Sequence, residues 1–337
     1  MEDFIMEVIS DIQSRGVGLD LDHVPLLGSD EVMRHFGSTE WSVVGPPTDT
    51  PQMRVGLCDL TSGPAWFLNA GEIRGWSGPR KLLINPTTFL RLQNASIAGA
   101  RNLSYDGQRI HLSGIAPSNV VSGVIGLAGA GLGIDTVLIR PTVGDAYKIS
   151  DFGSDTWVGG PGVAQPNILV EIGNGTIWAV VCDALNGKMW FTEDMALYIT
   201  NGLYLRITNL AVGAAVVGWS GERIHISGTG GSIVQSAIAG VGIGGSIDIR
   251  PVDLLDQWEV SGIFADIQFG GAPFDVADVN VENNNGALAS LKARNTDVDC
   301  WLHPWKVPVS NANYLTVTET SGGATNIAYS AIRTRLG

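Results

Sequence analysis

The stretch YDGQRIHLSG at residues 105–114 returns almost unchanged as WSGERIHISG at residues 219–228. An Arg-x-His pair written twice marks either chemistry or architecture. Asp106-Gly107 and Ser220-Gly221 are residue types that reach the positive φ of tight hairpin turns, so each copy predicts a turn followed by a strand. Alternation along that strand puts Ile110 and Leu112 on one face and Arg109, His111 and Ser113 on the other. In the second copy Ile224 and Ile226 point inward, and Arg223 and His225 point outward. A duplicated structural unit keeps its turn and its alternation in every copy, whereas a chain seldom keeps two identical active sites. The repeat therefore reads as architecture.

Other segments repeat around it. FLRLQNASI (89–97) matches YLRITNLAV (204–212), with a fainter third copy in SLKARNTDV (290–298). The three end on Asn94, Asn209 and Asn295. VLIRP (137–141) matches IDIRP (247–251), and SAIRT (330–334) is a weaker third echo, so Arg140 and Arg250 stand at equivalent places. One supersecondary unit built two or three times accounts for this spacing. Short alternating runs broken by Gly, Asn, Asp and Pro are the pattern of β-sandwiches or barrels. With 44 glycines, the chain is too Gly-rich for a helical bundle.

Residues 1–60 read differently. In MEDFIMEVISDIQSRG the residues Phe4, Ile5, Val8, Ile9 and Ile12 fall at helical spacing, with Gly16 as a C-cap, which predicts an amphipathic helix. SDEVMRHFG (29–37) predicts a second short helix capped by Ser29, and the Pro-rich 45–51 a linker. The expected organisation is a helical arm over 1–60, β modules over 61–172 and 173–254, and a degenerate third over 255–337.

Composition narrows the function classes. A formal charge of −13 works against the clustered Lys and Arg that nucleic-acid binding needs, so no direct contact with DNA or RNA is expected. Cys58, Cys182 and Cys300 stand apart, with neither disulfide nor zinc spacing. The N-terminus has no secretory-signal pattern, and no run is long enough for a transmembrane helix, so synthesis in a cytoplasm is expected. GAGLGID (129–135) and GVGIGGSID (240–248) lack the Lys and the following helix of a phosphate loop. The five histidines show no metal spacing, and no cofactor is expected. DVADVNVENNN (275–285) gathers oxygen ligands suited to Ca2+ but lacks EF-hand spacing, and an inter-strand loop is the expected identity. GWSG (75–78 and 218–221) lacks the nucleophile-elbow spacing, so no enzyme is expected. The ten tryptophans suit sandwich cores and subunit contacts, or else a sugar-stacking platform.

Over residues 61–337 the chain resembles, in architecture, virion structural proteins built from tandem jelly-roll-like β-sandwiches, bacteriophage ones above all. Double jelly-roll capsid proteins are similar in size and duplication. The faint third copy departs from them and brings the decoration, spike and tail proteins of tailed phages into the comparison. This resemblance implies a non-enzymatic homo-oligomeric component of a virus particle, made in the host cytoplasm and assembling with copies of itself and other virion proteins. The assembly candidates are the arm residues Phe4, Ile5, Val8, Ile9 and Ile12, together with Arg109, His111, Arg140, Arg223, His225 and Arg250. The alternative is a fibre or carbohydrate-binding protein that holds a host glycan or receptor.

Overall fold

The computed structural model describes residues 6–39, 53–61, 63–70, 82–96, 99–111, 119–128, 135–154, 168–183, 197–210, 213–226, 234–267, 279–295, 306–320 and 323–335. Among these the regular structure is entirely β. The first eight strands are β1 (Met6–Arg15), β2 (Asp20–His23), β3 (Ser29–Thr39), β4 (Met53–Cys58), β5 (Ala65–Ala70), β6 (Leu82–Ile84), β7 (Phe89–Asn94) and β8 (Arg101–His111). The next eight are β9 (Val120–Leu127), β10 (Asp135–Ile139), β11 (Asp145–Ser154), β12 (Ile168–Gly173), β13 (Trp178–Asp183), β14 (Leu197–Thr200), β15 (Tyr204–Asn209) and β16 (Ala215–His225). The last eight are β17 (Val234–Val241), β18 (Ser246–Ile249), β19 (Asp256–Ile267), β20 (Val279–Asn284), β21 (Ala289–Asn295), β22 (Val307–Ser310), β23 (Tyr314–Glu319) and β24 (Thr325–Arg335).

One topology is written three times. The first octet makes two antiparallel sheets in the orders β1-β8-β3-β6 and β2-β7-β4-β5. The second makes β9-β16-β11-β14 and β10-β15-β12-β13, and the third β17-β24-β19-β22 and β18-β23-β20-β21. Two four-stranded sheets in which the first strand lies beside the eighth and the second beside the seventh are the jelly roll. Each sandwich is closed by its own apolar interior. Ile9, Met33, Leu57, Leu90, Leu92 and Leu103 meet in the first, Ile149, Val170, Ile199 and Leu205 in the second, and Val260, Val281, Leu315 and Ile327 in the third. Strand alternation does this locally: in β7, Leu90 and Leu92 are buried while Arg91 and Gln93 are partly exposed.

Several expectations are corrected by this pairing. The arm is not helical: Met6–Arg15 is a full-length strand paired with β8, with Ile9 buried and Val8 and Ile12 exposed. Val8 and Ile12 put apolar residues on both faces of that strand, which imitates helical spacing in sequence. SDEVMRHFG is likewise strand, within β3. Because β1, β2 and β3 pair with β8, β7 and β6, the modules span 6–111, 120–225 and 234–335, and the boundaries expected at 60, 172 and 254 fall inside sandwiches. Phe4, Ile5 and residues 45–51 lie outside the described residues.

The described part of the repeated stretch, 105–111 and 219–226, contains no hairpin. Asp106-Gly107 and Ser220-Gly221 lie in mid-strand, in β8 and β16. Their glycines stand opposite a bulge in the neighbouring strand, between Met33 and His35 in the first module and between Ile149 and Asp151 in the second, where that strand's backbone comes too close for a Cβ. A Cβ on Gly107 would stand 2.6 Å from the Val32 carbonyl oxygen, and one on Gly221 would stand 2.4 Å from that of Lys148. The third module carries the same bulge between Val260 and Gly262, with Ala331 at the equivalent place. The register also corrects the third copies: YLTVTE in β23 matches FLRLQN and YLRITN, whereas SLKARN is β21. LDHVP (21–25) is the third version of VLIRP and IDIRP, and SAIRT belongs to β24.

Candidate assembly interface

Among the described residues, one serine-to-edge contact recurs between successive sandwiches. Ser220, fully buried in β16, accepts a hydrogen bond from the Leu83 N–H at 3.0 Å and donates one to the Leu83 carbonyl at 3.0 Å. Leu83 lies on β6, the edge strand of the first module's sheet. Ser330, fully buried in β24, does the same to Tyr198 on β14, accepting its N–H at 2.9 Å and donating to its carbonyl at 3.2 Å. Strand register makes the two joints equivalent. Lys148, Tyr198's partner, pairs with Glu222, two residues beyond Ser220, and Val32, Leu83's partner, pairs with Gln108, two beyond Asp106. A hydroxyl suits this place because it can donate and accept together, satisfying both free groups of an edge residue taken out of water.

Apolar side chains flank each serine on the outer face of the module's first strand. Val120 and Val234 occupy one equivalent position and are 7% and 3% exposed. Val124 and Ile238 occupy the next and pack against the interiors of the preceding modules. Behind the second joint Ala146, Tyr198, Ile224, Ile226, Val234 and Ile332 form a further apolar cluster. Burying a side chain of this size contributes about 1.5–3 kcal/mol, so packing and the serine pair reinforce one another. At the first joint Asp30, 2% exposed, also accepts the N–H groups of Asn119 and Val120 at 3.0 and 3.2 Å.

The first module carries an unburied version of the same face. Val8 and Ile12 stand where Val120/Val234 and Val124/Ile238 stand, and are 76% and 60% exposed. The serine position is Asp106, half exposed and bonded to His35 at 2.5 Å. A shallow groove lined by Ser10, Ile12, His35, Phe36, Tyr105 and Asp106 marks the place.

Arg109 and Arg223 do not face solvent as the alternation suggested. Arg109 lies on the same face of β8 as the buried Leu103 and Tyr105, the reverse of the expected alternation, and there its Nε donates to Glu31 at 2.7 Å and a terminal nitrogen to Glu7 at 2.9 Å. Glu31 is wholly inaccessible and is also bonded to His23, whose other ring nitrogen lies 2.9 Å from the Tyr105 hydroxyl. Burial pushes the Glu31 carboxyl up, but the bonds from His23 and Arg109 outweigh it and hold the group below its ordinary value. Here His23 replaces the buried Ile139 and Ile249 of the other modules, and Glu31 replaces Tyr147 and Trp258. Arg223 lies 3.8 Å from Asp145, and His225, largely exposed, pairs with Asp145 at 2.8 Å. That carboxyl is held low, first by His225 and then by Thr142. His111 pairs in register with Ser29 at the end of β8.

Arg140 and Arg250 occupy matched positions after the second strand of their modules, each 4.5 Å over an aromatic ring, Tyr204 and Tyr314. Among the described residues, the structure places Val8, Ile9 and Ile12 together on β1, with Ile9 turned to the core, brings Arg223 and His225 to Asp145, and leaves the other predicted residues at separate strand ends. Sequence reading missed Ser220, Ser330, Leu83 and Tyr198. The available signal was a serine after the aromatic residue in both WSG and YSA.

Of the oxygen-rich 275–285 segment, residues 279–284 are strand β20, and Asp275 and Asp278 lie outside the described residues. No group of three or more His, Cys, Asp or Glu suited to a metal occurs among the described residues. No helix among them is long and apolar enough to cross a membrane. Trp66 and Trp258 are buried.

No family model matches the chain, and no curated protein does. Among solved structures it is similar to a chain in the atomic structure of Sulfolobus turreted icosahedral virus, at 9% identity and a TM-score of 0.24, covering 99% of this chain and 91% of that one. It is also similar to a chain from the triple jelly roll fold and turret assembly of an archaeal virus, at 9% identity and a TM-score of 0.23, covering 97% and 89%. Superpositions this loose fix neither the fold nor the role of this chain, which rest on its own strand order and joints.

Proposed function

We propose that this chain is a non-enzymatic structural protein of a virus particle, a block of three jelly rolls that serves as a shell, decoration, spike or tail component. The observation that carries the reading is the twice-made buried joint, which locks three complete sandwiches into one unit by serine-to-edge hydrogen bonds and apolar packing. Eight-stranded jelly rolls recur in viral capsid and lectin domains, and a locked multi-sandwich block offers the fixed geometry that symmetric assemblies need. The formal charge of −13 favours contacts with protein over contacts with packaged nucleic acid. On this reading the partners are copies of the chain and other virion proteins, and synthesis is in the host cytoplasm. Quantitative mass spectrometry of purified particles from the host that carries the gene tests it. The chain should be present in tens of copies or more per particle and visible as three linked sandwiches by electron cryomicroscopy. Its presence in cell lysate and absence from particles would overturn the proposal.

A further inference from the structure

The joint that links the modules has a receiving half, on the first and eighth strands, and a presenting half, on the third, sixth and eighth, and counterparts of both also occur on the outer sides of the first and third modules. At the presenting end of the third module, the residue equivalent to Leu83 and Tyr198 is Pro308: it pairs with Glu259, which pairs with Ile332, two residues beyond Ser330. Proline has no N–H, and β22 is an edge strand, the place where a sheet tolerates proline and where proline blocks further pairing. The apolar neighbours change as well. Ala146 and Ile224 of the second module become Gln257 and Thr334, both exposed, as is Pro308. At the receiving end Asp106 replaces the serine, while Val8, Ser10 and Ile12 keep the rest of the surface.

We infer that the chain is closed to head-to-tail addition of a second copy, and that Asp106 and Pro308 with its polar neighbours are the residues that close it. An internal joint matches a hydroxyl, donor and acceptor together, with one N–H and one carbonyl. At a joint between two chains an ionised Asp106, which only accepts, would face the Pro308 carbonyl, which also only accepts. Two like partial charges would be taken out of water with no proton between them, and neither side would gain an apolar contact at Gln257 or Thr334. Contacts between copies therefore use surfaces other than this joint. The inference stands whether or not the chain belongs to a particle.

The test opens one end at a time. Asp106→Ser restores the receiving half, and Gln257→Ala with Pro308→Tyr and Thr334→Ile restores the presenting half. By sedimentation velocity each variant alone should behave as wild type. Their equimolar mixture should form a one-to-one species with an affinity at least roughly tenfold above that of wild type for itself, the effect of one regained hydrogen-bonded pair. A folded mixture that sediments as the sum of its parts overturns the inference. So does a photo-crosslinking residue at position 8 of the otherwise unaltered chain that captures β22 of another copy. If the triple variant fails to fold, Ser330→Asp reads the same chemistry inside one chain: hydrogen exchange at the Tyr198 amide should rise at least roughly tenfold. Unchanged protection there would show that aspartate does not open the joint, and the inference would fall.

Discussion

Replacing Ser220 by Ala tests the joint at its centre. The Ser220 Oγ makes two hydrogen bonds of 3.0 Å to one residue, Leu83, and both residues are buried at 0% and 6% exposure. Alanine keeps the backbone and the apolar packing of Val120 and Val124 and removes only these bonds. A buried group left without its partner costs about 1–3 kcal/mol, and here two such groups, the N–H and the carbonyl of Leu83, are stranded together. Allowing for some relaxation at a sheet edge, the first joint should weaken by about 2–4 kcal/mol. At about 1.4 kcal/mol per tenfold, that is a rise of roughly 30-fold to nearly a thousandfold in the rate of opening-limited exchange at the Leu83 amide. Hydrogen exchange read at β6 and β16, in native buffer, measures it directly without assuming that a three-sandwich chain unfolds in one step. Asp106→Ala, at the equivalent but half-exposed position, is the control and should change stability by less than about 0.5 kcal/mol. A Ser220→Ala chain whose Leu83 amide exchanges within threefold of wild type would refute the claim that the hydroxyl holds the modules together.

Other consequences follow from buried groups. Glu31→Gln should destabilise the first module by about 3–5 kcal/mol in denaturant titrations that follow Tyr105, because Arg109 and His23 lose a buried partner. Since the folded-state pKa of Glu31 is depressed, the unfolded chain takes up that proton first, so the contribution is complete above about pH 5 and is lost progressively as pH falls further. Acid-unfolding curves of wild type and Glu31→Gln should therefore converge at low pH, and parallel curves would contradict the network. Gly221→Ala drives a Cβ to 2.4 Å from the Lys148 carbonyl oxygen and should cost about 1–3 kcal/mol in thermal unfolding, whereas Ala331→Gly should cost under about 1.5 kcal/mol. The Cys58 thiol, pushed up to about 12 by burial, should stay unreactive toward a thiol reagent at pH 8 in a Cys182→Ser/Cys300→Ser chain, and react at once in denaturant.

The all-β character and the repetition were legible in the sequence because strand alternation and matched asparagines survive in the modules that keep them. Asn94 and Asn209 close equivalent corners, the first donating to the Arg15 and Gly99 carbonyls and the second to those of Leu127, Ala128 and Gly213. The third module was misaligned because Glu319 stands in that place, accepting the Gly244 N–H instead. The first was missed because β1 is apolar on both faces, and His23 and Glu31 conceal positions that are apolar in the other modules. The glycines of the repeated stretch looked like turn residues because their true requirement, a bulge in a strand far away in sequence, leaves no local mark. The joint left only a faint mark, the serine that follows the aromatic residue in WSG and YSA, because its other half, at Leu83 and Tyr198, is backbone.

Both halves of the joint lie within the same stretch of about a hundred residues, so copying that stretch copies a gripping hand and the rung it grips. An in-frame duplication of the middle sandwich would insert a fourth already fitted to both neighbours, with Asp106 and Pro308 left undisturbed at the extremities. The reach of such a molecule is therefore set in whole steps by gene copying.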